Sequence, residues 1–244
     1  MASPTVLDAS DHRQLRVVTE RGALYGENVH IVPVIADELQ SLVLDYPVAL
    51  IKDAETGHFG LYALLGFEPG ENLYLSENQW RASYVPLHVR RQPFMVGLET
   101  DAGEQANPEN AVITIDIDSK RVQANEGQAL FTDDGRWSPY LEAVSKMLAK
   151  LMAGMKSTDA FIAHLAERDL LEPAQLNVTF ADGEEKSYEG LYTVNDEKLS
   201  ELDAGSLKEL HDKGYLQACY LLLASIGHVQ SLISLKNERL AAAG

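Results

Sequence analysis

The hydrophobic period changes partway along the chain, and that change limits the fold more than any single motif. Up to about residue 135, apolar residues come in short runs or strict alternation separated by turn chemistry; from Ser138 they recur at steps of three and four. Over 112–118, Ile113, Ile115 and Ile117 alternate with Thr114, Asp116 and Asp118, the pattern of a strand with an apolar and a polar face. Runs at 48–51 and 59–65 bracket the turn residues 53–57 and predict a β-hairpin. A strand over 29–35 precedes it, confined to a sheet edge by Pro33, and a short helix over 36–44 turns Leu39, Leu42 and Val43 inward. Shorter strands are expected at 73–75, 94–98 and 127–131, with a polar, acidic loop over 101–110.

Beyond Ser138, residues Leu141, Val144, Leu148, Leu151, Met152 and Met155 keep a helical stripe, with Pro139 suited to the first turn. Ser157 or Thr158 is expected to cap a further helix running to Leu171 and stopped by Pro173. Residues 176–180 and 187–194 predict a second hairpin through Asp182-Gly183. Helices then run from Asn195 or Asp196 to Leu202 and from Ser206 to Lys213, closed by Gly214. Residues 215–226 are apolar nearly all round and predict a buried helix; Gly227-His228 marks a break before a last helix over 229–240. The expectation is a single α+β domain over 1–244. In it an antiparallel β-rich part, about 14–135, packs with a mainly helical part, about 136–244, that carries one hairpin.

Function classes are narrowed mostly by exclusion. A formal charge of −17 argues against nucleic acid and anionic membrane surfaces, which need clustered Lys and Arg. Cys219 is the only cysteine, so neither an internal disulfide nor a cysteine-rich zinc site can form, and its apolar surroundings suit an inert packing thiol. Seven scattered histidines give no ligand cluster, so no metal and no cofactor are expected. Residues 1–12 show neither a basic nor an apolar leader segment, and the apolar run 215–226 is short for a bilayer; the reading is a cytoplasmic protein with no membrane insertion. Phosphate-loop, dinucleotide-turn, nucleophile-elbow and His-Glu-x-x-His motifs are all lacking, so no catalytic residue is assigned.

Residues 72–98 carry the candidate binding surface. Ser76 and Gln79 have capping-box spacing and predict a helix from Glu77, on which Trp80, Tyr84, His88 and Arg91 would share a stripe. Pro86 either kinks that helix or opens a second short one after Tyr84. Between Ser76 and Pro93 stand Arg81, Arg90 and Arg91 against Glu77 alone, a local balance of +2 in an acidic chain. The candidate ligand-binding residues are therefore Trp80, Tyr84, His88, Arg90 and Arg91, and a guanidinium fork there suits a carboxylate or phosphate as well as an internal ion pair. Asp116 and Asp118 could hold a metal or serve as acid and base, or simply form the solvated face of a strand.

Several segments together resemble the SapC family of bacterial proteins: 46–53 (Tyr-Pro-Val-Ala-Leu-Ile-Lys-Asp), 63–73, Arg90-Arg91-x-Pro93-Phe94, 190–199 and the stretch at Gly227-His228. The resemblance covers about 25–237 and implies an association, by name, with a bacterial surface layer; it implies no reaction and no catalytic residues. The functional expectation is a non-catalytic cytoplasmic binding or accessory protein for a peptide, a protein or a small anionic ligand, linked to surface or envelope proteins. The alternatives are an enzyme acting on peptides or small molecules around His88, Arg90 and Arg91 with Asp116 and Asp118, and a structural partner that uses the Trp80 stripe as an interface. A concave pocket at the arginines would favour the ligand; arginines paired to acids would favour a structural role.

Overall fold

The computed structural model describes residues 4–77, 79–98 and 111–243; the loop expected over 101–110 lies outside the described residues. Antiparallel sheets dominate the N-terminal half and helices the C-terminal half, as an α+β chain should. The chain divides into two compact units, Met1–Glu27 with Glu77–Gln79 and Leu87–Met152, and Asn28–Ser76 with Trp80–Pro86 and Ala153–Gly244.

In the first unit, strands Pro4–Val6, Ala111–Asp116 and Phe94–Leu98 form one antiparallel sheet with Ala111–Asp116 in the middle. A second small sheet places Arg16–Val17 between Val122–Gln123 and Gln128–Ala129. Gly127 turns the chain there at φ 95°, where a side chain would meet the Val17 carbonyl oxygen at 2.4 Å. Helix Pro139–Glu167 starts where Ser138 Oγ accepts from the Leu141 N–H at 3.2 Å and donates to Ala129 O at 2.6 Å. Its stripe of Leu141, Val144 and Leu148 closes a core with Val17, Phe94, Ile115, Leu130 and Phe131. The polar face expected over 112–118 is only partly wet, with Thr114 buried, Asp116 half-buried and Asp118 exposed, while Ile117 of the apolar face, past the strand end, is exposed too.

In the second unit a five-stranded antiparallel sheet runs in the order Leu171–Thr179, Glu185–Val194, Val48–Lys52, Phe59–Leu64, Ile31–Pro33. Both hairpins form at the turns that the sequence predicts and Pro33 lies on the edge, but the second hairpin starts at Leu171 and takes in Pro173, where a helix is expected to end; that helix stops at Glu167. Leu39 and Leu42 are fully buried, whereas Val43 is half-buried. Ser157 and Thr158 do not cap a new helix. Their hydroxyls bond back to Gly154 O at 3.0 and 2.6 Å, so helix Pro139–Glu167 continues through them. Thr158 Oγ1 also accepts the Ala36 N–H at 2.8 Å.

Helix Tyr215–Ser225 corrects a second expectation. It buries only one stripe, Cys219, Leu222 and Ser225, while Tyr220 is 52% exposed. Apolar composition all round does not oblige burial all round. Ser225 Oγ accepts the Val48 N–H at 3.1 Å and so ties this helix to the central strand. A short 3-10 turn, Ile226–His228, leads into helix Val229–Ala243. By length and composition the resulting helical stretch Tyr215–Ala242 suffices to cross a membrane, longer than the apolar run read from sequence.

Candidate functional site: an arginine cleft

The region from 72 to 98 is not the continuous helix that its capping-box spacing predicts. Strands Leu75–Ser76 and Gln79–Trp80 flank Glu77, which adopts φ 52°, and the Arg81 N–H donates to Tyr74 O at 2.7 Å. The chain reverses at Glu77, so the Ser76 and Gln79 side chains never meet a helix start. A short helix, Leu87–Arg90, does follow Pro86, which settles the two readings of that proline in favour of a second helix. The four-residue stripe from Trp80 to Arg91 is therefore not formed, and its residues divide between the two units.

Trp80 and Tyr84 enter a hydrogen-bonded aromatic cluster in the second unit. The Trp80 indole N–H donates to Tyr46 Oη at 2.6 Å, and the Tyr46 hydroxyl donates to the Tyr84 carbonyl. The Tyr46 and Tyr74 rings lie 4.6 Å apart, and the Tyr74 hydroxyl donates to Asp45 O at 2.7 Å. The Asp45 carboxylate accepts the Ser83 N–H at 2.9 Å, and the Tyr84 hydroxyl donates to Glu38 Oε1 at 3.0 Å. Burial pushes the Tyr46 and Tyr74 hydroxyls well above the ordinary phenol range, so both stay protonated donors.

His88, Arg90 and Arg91 belong to the first unit. Half-buried Arg91 donates through Nη1 to Phe94 O at 2.8 Å, and its Nε lies 3.4 Å from His88 Nδ1. Burial, and then the Arg91 charge, push the His88 imidazole down to about 4, so it is neutral near pH 7. Arg91 pairs with no acid among the described residues; it is held by a carbonyl and a neutral ring.

Arg90 is exposed and makes no ion pair among the described residues. It lines a cleft of about 180 Å³ together with Arg21 and Arg121, Thr19, Gln92 and Tyr140. The remaining wall is apolar, made by Val18 and by Ala143, Val144 and Met147 from helix Pro139–Glu167.

Two of these arginines are set by a buried carboxylate. Glu27, 1% exposed, accepts on Oε1 from Arg21 Nη1 at 2.7 Å and from Arg121 Nη2 at 2.6 Å, while its Oε2 accepts the Gly22 N–H at 2.8 Å. Arg121, 2% exposed, also donates through Nη1 to the carbonyls of Val18 and Glu20 at 2.8 and 2.7 Å. Its guanidinium carbon lies 4.4 Å from the centre of the Tyr25 ring. Arg121 Nε is buried without a hydrogen-bond partner among the described residues. Burial lowers the Arg121 pKa and Glu27 opposes that shift; burial raises that of Tyr140, opposed by Arg121 and Arg21. Three arginines thus line the cleft, two of them sharing the Glu27 carboxylate, which leaves two positive charges in excess, and no acid lines it among the described residues.

Of the candidate site residues read from the sequence, only Arg90 lines this cleft. Arg21, Arg121 and Tyr140 gave no local signal; Arg121 and its partner Glu27 are 94 residues apart and meet because Val122–Gln123 pairs with Arg16–Val17. Asp118 is exposed, and its N–H donates to Asp116 Oδ1 at 3.3 Å. Among the described residues no three His, Cys, Asp or Glu side chains converge as metal ligands. Burial raises the Cys219 thiol to about 12, which makes it a poor nucleophile.

An α+β chain with a small arginine-lined cleft is the class that fold and geometry define. The SapC family model matches residues 7–232, nearly the whole chain, and the chain belongs to that family. No curated protein and no solved structure matches it.

Proposed function

We propose that this protein binds a small anionic ligand, without transforming it, in the cleft formed by Arg21, Arg90 and Arg121. One observation carries the reading: Arg90 faces a concave site already holding two guanidiniums that share a single carboxylate. Cations gathered in this way repel one another unless an anion joins them, and guanidinium forks are suited to carboxylate and phosphate oxygens. Among the described lining residues, Tyr140 alone offers a titratable hydroxyl, and its raised pKa keeps it a donor. A donor-rich lining without a base or nucleophile supports binding over chemistry.

The test is thermal unfolding in phosphate, citrate and sulfate against chloride at matched ionic strength. A ligand at about 100 times its dissociation constant should stabilise the protein by roughly 2.7 kcal/mol, and Arg90→Gln should remove that gain. Equal melting temperatures in all four anions would sink the reading. We also propose a cytoplasmic location, which the lone, buried Cys219 supports. Recovery in the membrane pellet after a high-salt wash would contradict that part and turn attention to the helical stretch Tyr215–Ala242.

A further inference from the structure

We infer that the cleft is matched to a phosphoryl dianion carried on a small apolar or aromatic body. The inference rests on the anion-binding reading above and narrows its ligand. Charge is the first argument. Three guanidiniums less the one Glu27 carboxylate, which Arg21 and Arg121 share, leave two positive charges along the cleft. A monocarboxylate would compensate only one, whereas a phosphate monoester brings a charge of about −1.5 to −2 at pH 7 and three acceptor oxygens.

The placement of donors is the second argument. They come from three separate parts of the chain: Thr19 and Arg21, then Arg90 and Gln92, then Tyr140, while Arg121 adds charge through a guanidinium already bonded to Val18 O, Glu20 O and Glu27. A carboxylate presents its acceptors in one plane, and a tetrahedral head presents them in three directions.

Size and the apolar wall set the rest of the molecule. About 180 Å³ is below the roughly 300 Å³ at which pockets for drug-sized ligands begin, so the site holds a head group and a compact body and not a nucleotide. Ala143, Val144 and Met147 give that body an apolar surface, which free phosphate would leave unused.

Calorimetric titration of the full chain at pH 8 and fixed ionic strength, with phenyl phosphate, benzenesulfonate, benzoate and inorganic phosphate as probes, separates charge, shape and body. Phenyl phosphate should bind at least tenfold more tightly than each of the other three. Ala143→Glu, at an exposed helix position that should spare the fold, and Met147→Gln should each reduce its advantage over inorganic phosphate. Benzoate binding as tightly as phenyl phosphate, with both lost in Arg90→Gln, would overturn the phosphoryl assignment and leave the anion site standing. Benzenesulfonate matching phenyl phosphate would overturn the requirement for a dianion, and inorganic phosphate matching it would overturn the apolar body. Absence of binding by all four probes would remove the anion site itself.

Discussion

The aromatic cluster around Tyr46 and the arginine cleft draw on the same stretch of sequence, yet their polar groups end differently. In the cluster, indole N–H, phenol and carboxylate close on one another: Trp80 to Tyr46, Tyr46 to Tyr84, Tyr84 to Glu38 and Ser83 to Asp45. In the cleft, Glu27 serves Arg21 and Arg121 together, and Arg90 has no acid among the described residues. A closed network explains itself by the stability it adds, because each group would cost free energy if left unpaired. Gathered like charges lower stability, and their retention points to something outside the fold.

The largest effect is expected at Glu27. Glu27→Ala would leave two guanidiniums facing one another, one of them buried, and should cost about 3–5 kcal/mol in denaturant unfolding. A cost under about 1 kcal/mol would mean that the arginines are not held by that carboxylate. Next comes Tyr46→Phe, which keeps the ring but deprives the Trp80 N–H of its acceptor and the Tyr84 carbonyl of its donor. A loss of roughly 1–3 kcal/mol is expected, with a change in tryptophan emission as the readout.

A smaller effect concerns pH. The folded His88 titrates at about 4, below the 6.5 of a free imidazole, so the unfolded chain binds the extra proton first. Stability from this group is complete above about pH 6.5 and is lost as pH falls towards 4. His88 is half-buried, so solvent screening limits the loss to about 1–2 kcal/mol. His88→Gln should flatten the stability curve across that window; an unchanged slope would show that the ring is not kept neutral by its surroundings.

Where local chemistry decides the structure, the sequence was readable. Asp53 caps its own turn by accepting the Glu55 and Thr56 N–H groups at 3.1 and 2.7 Å, and the hairpin follows. Asn195 caps its helix by accepting from the Lys198 N–H at 2.8 Å. Where one spacing has two physical outcomes, local sequence does not decide between them. Ser76 and Gln79 flank a chain reversal, and the hydroxyls of Ser157 and Thr158 bond within a helix that they do not interrupt. Arg90 stood out because its surroundings were locally basic in an acidic chain, but Arg21 and Arg121 are brought to it by strand register, which no local pattern reveals.

The central claim is that Arg90 is held for a partner and contributes little to the fold. Its most direct test is the denaturant stability of Arg90→Gln beside the unaltered protein, each in chloride and in phosphate. The account predicts agreement within about 0.5 kcal/mol in chloride, as for a surface change without a partner, and a gain in phosphate that only the unaltered protein shows. A loss of several kcal/mol in chloride, with the same response to phosphate in both proteins, would contradict it.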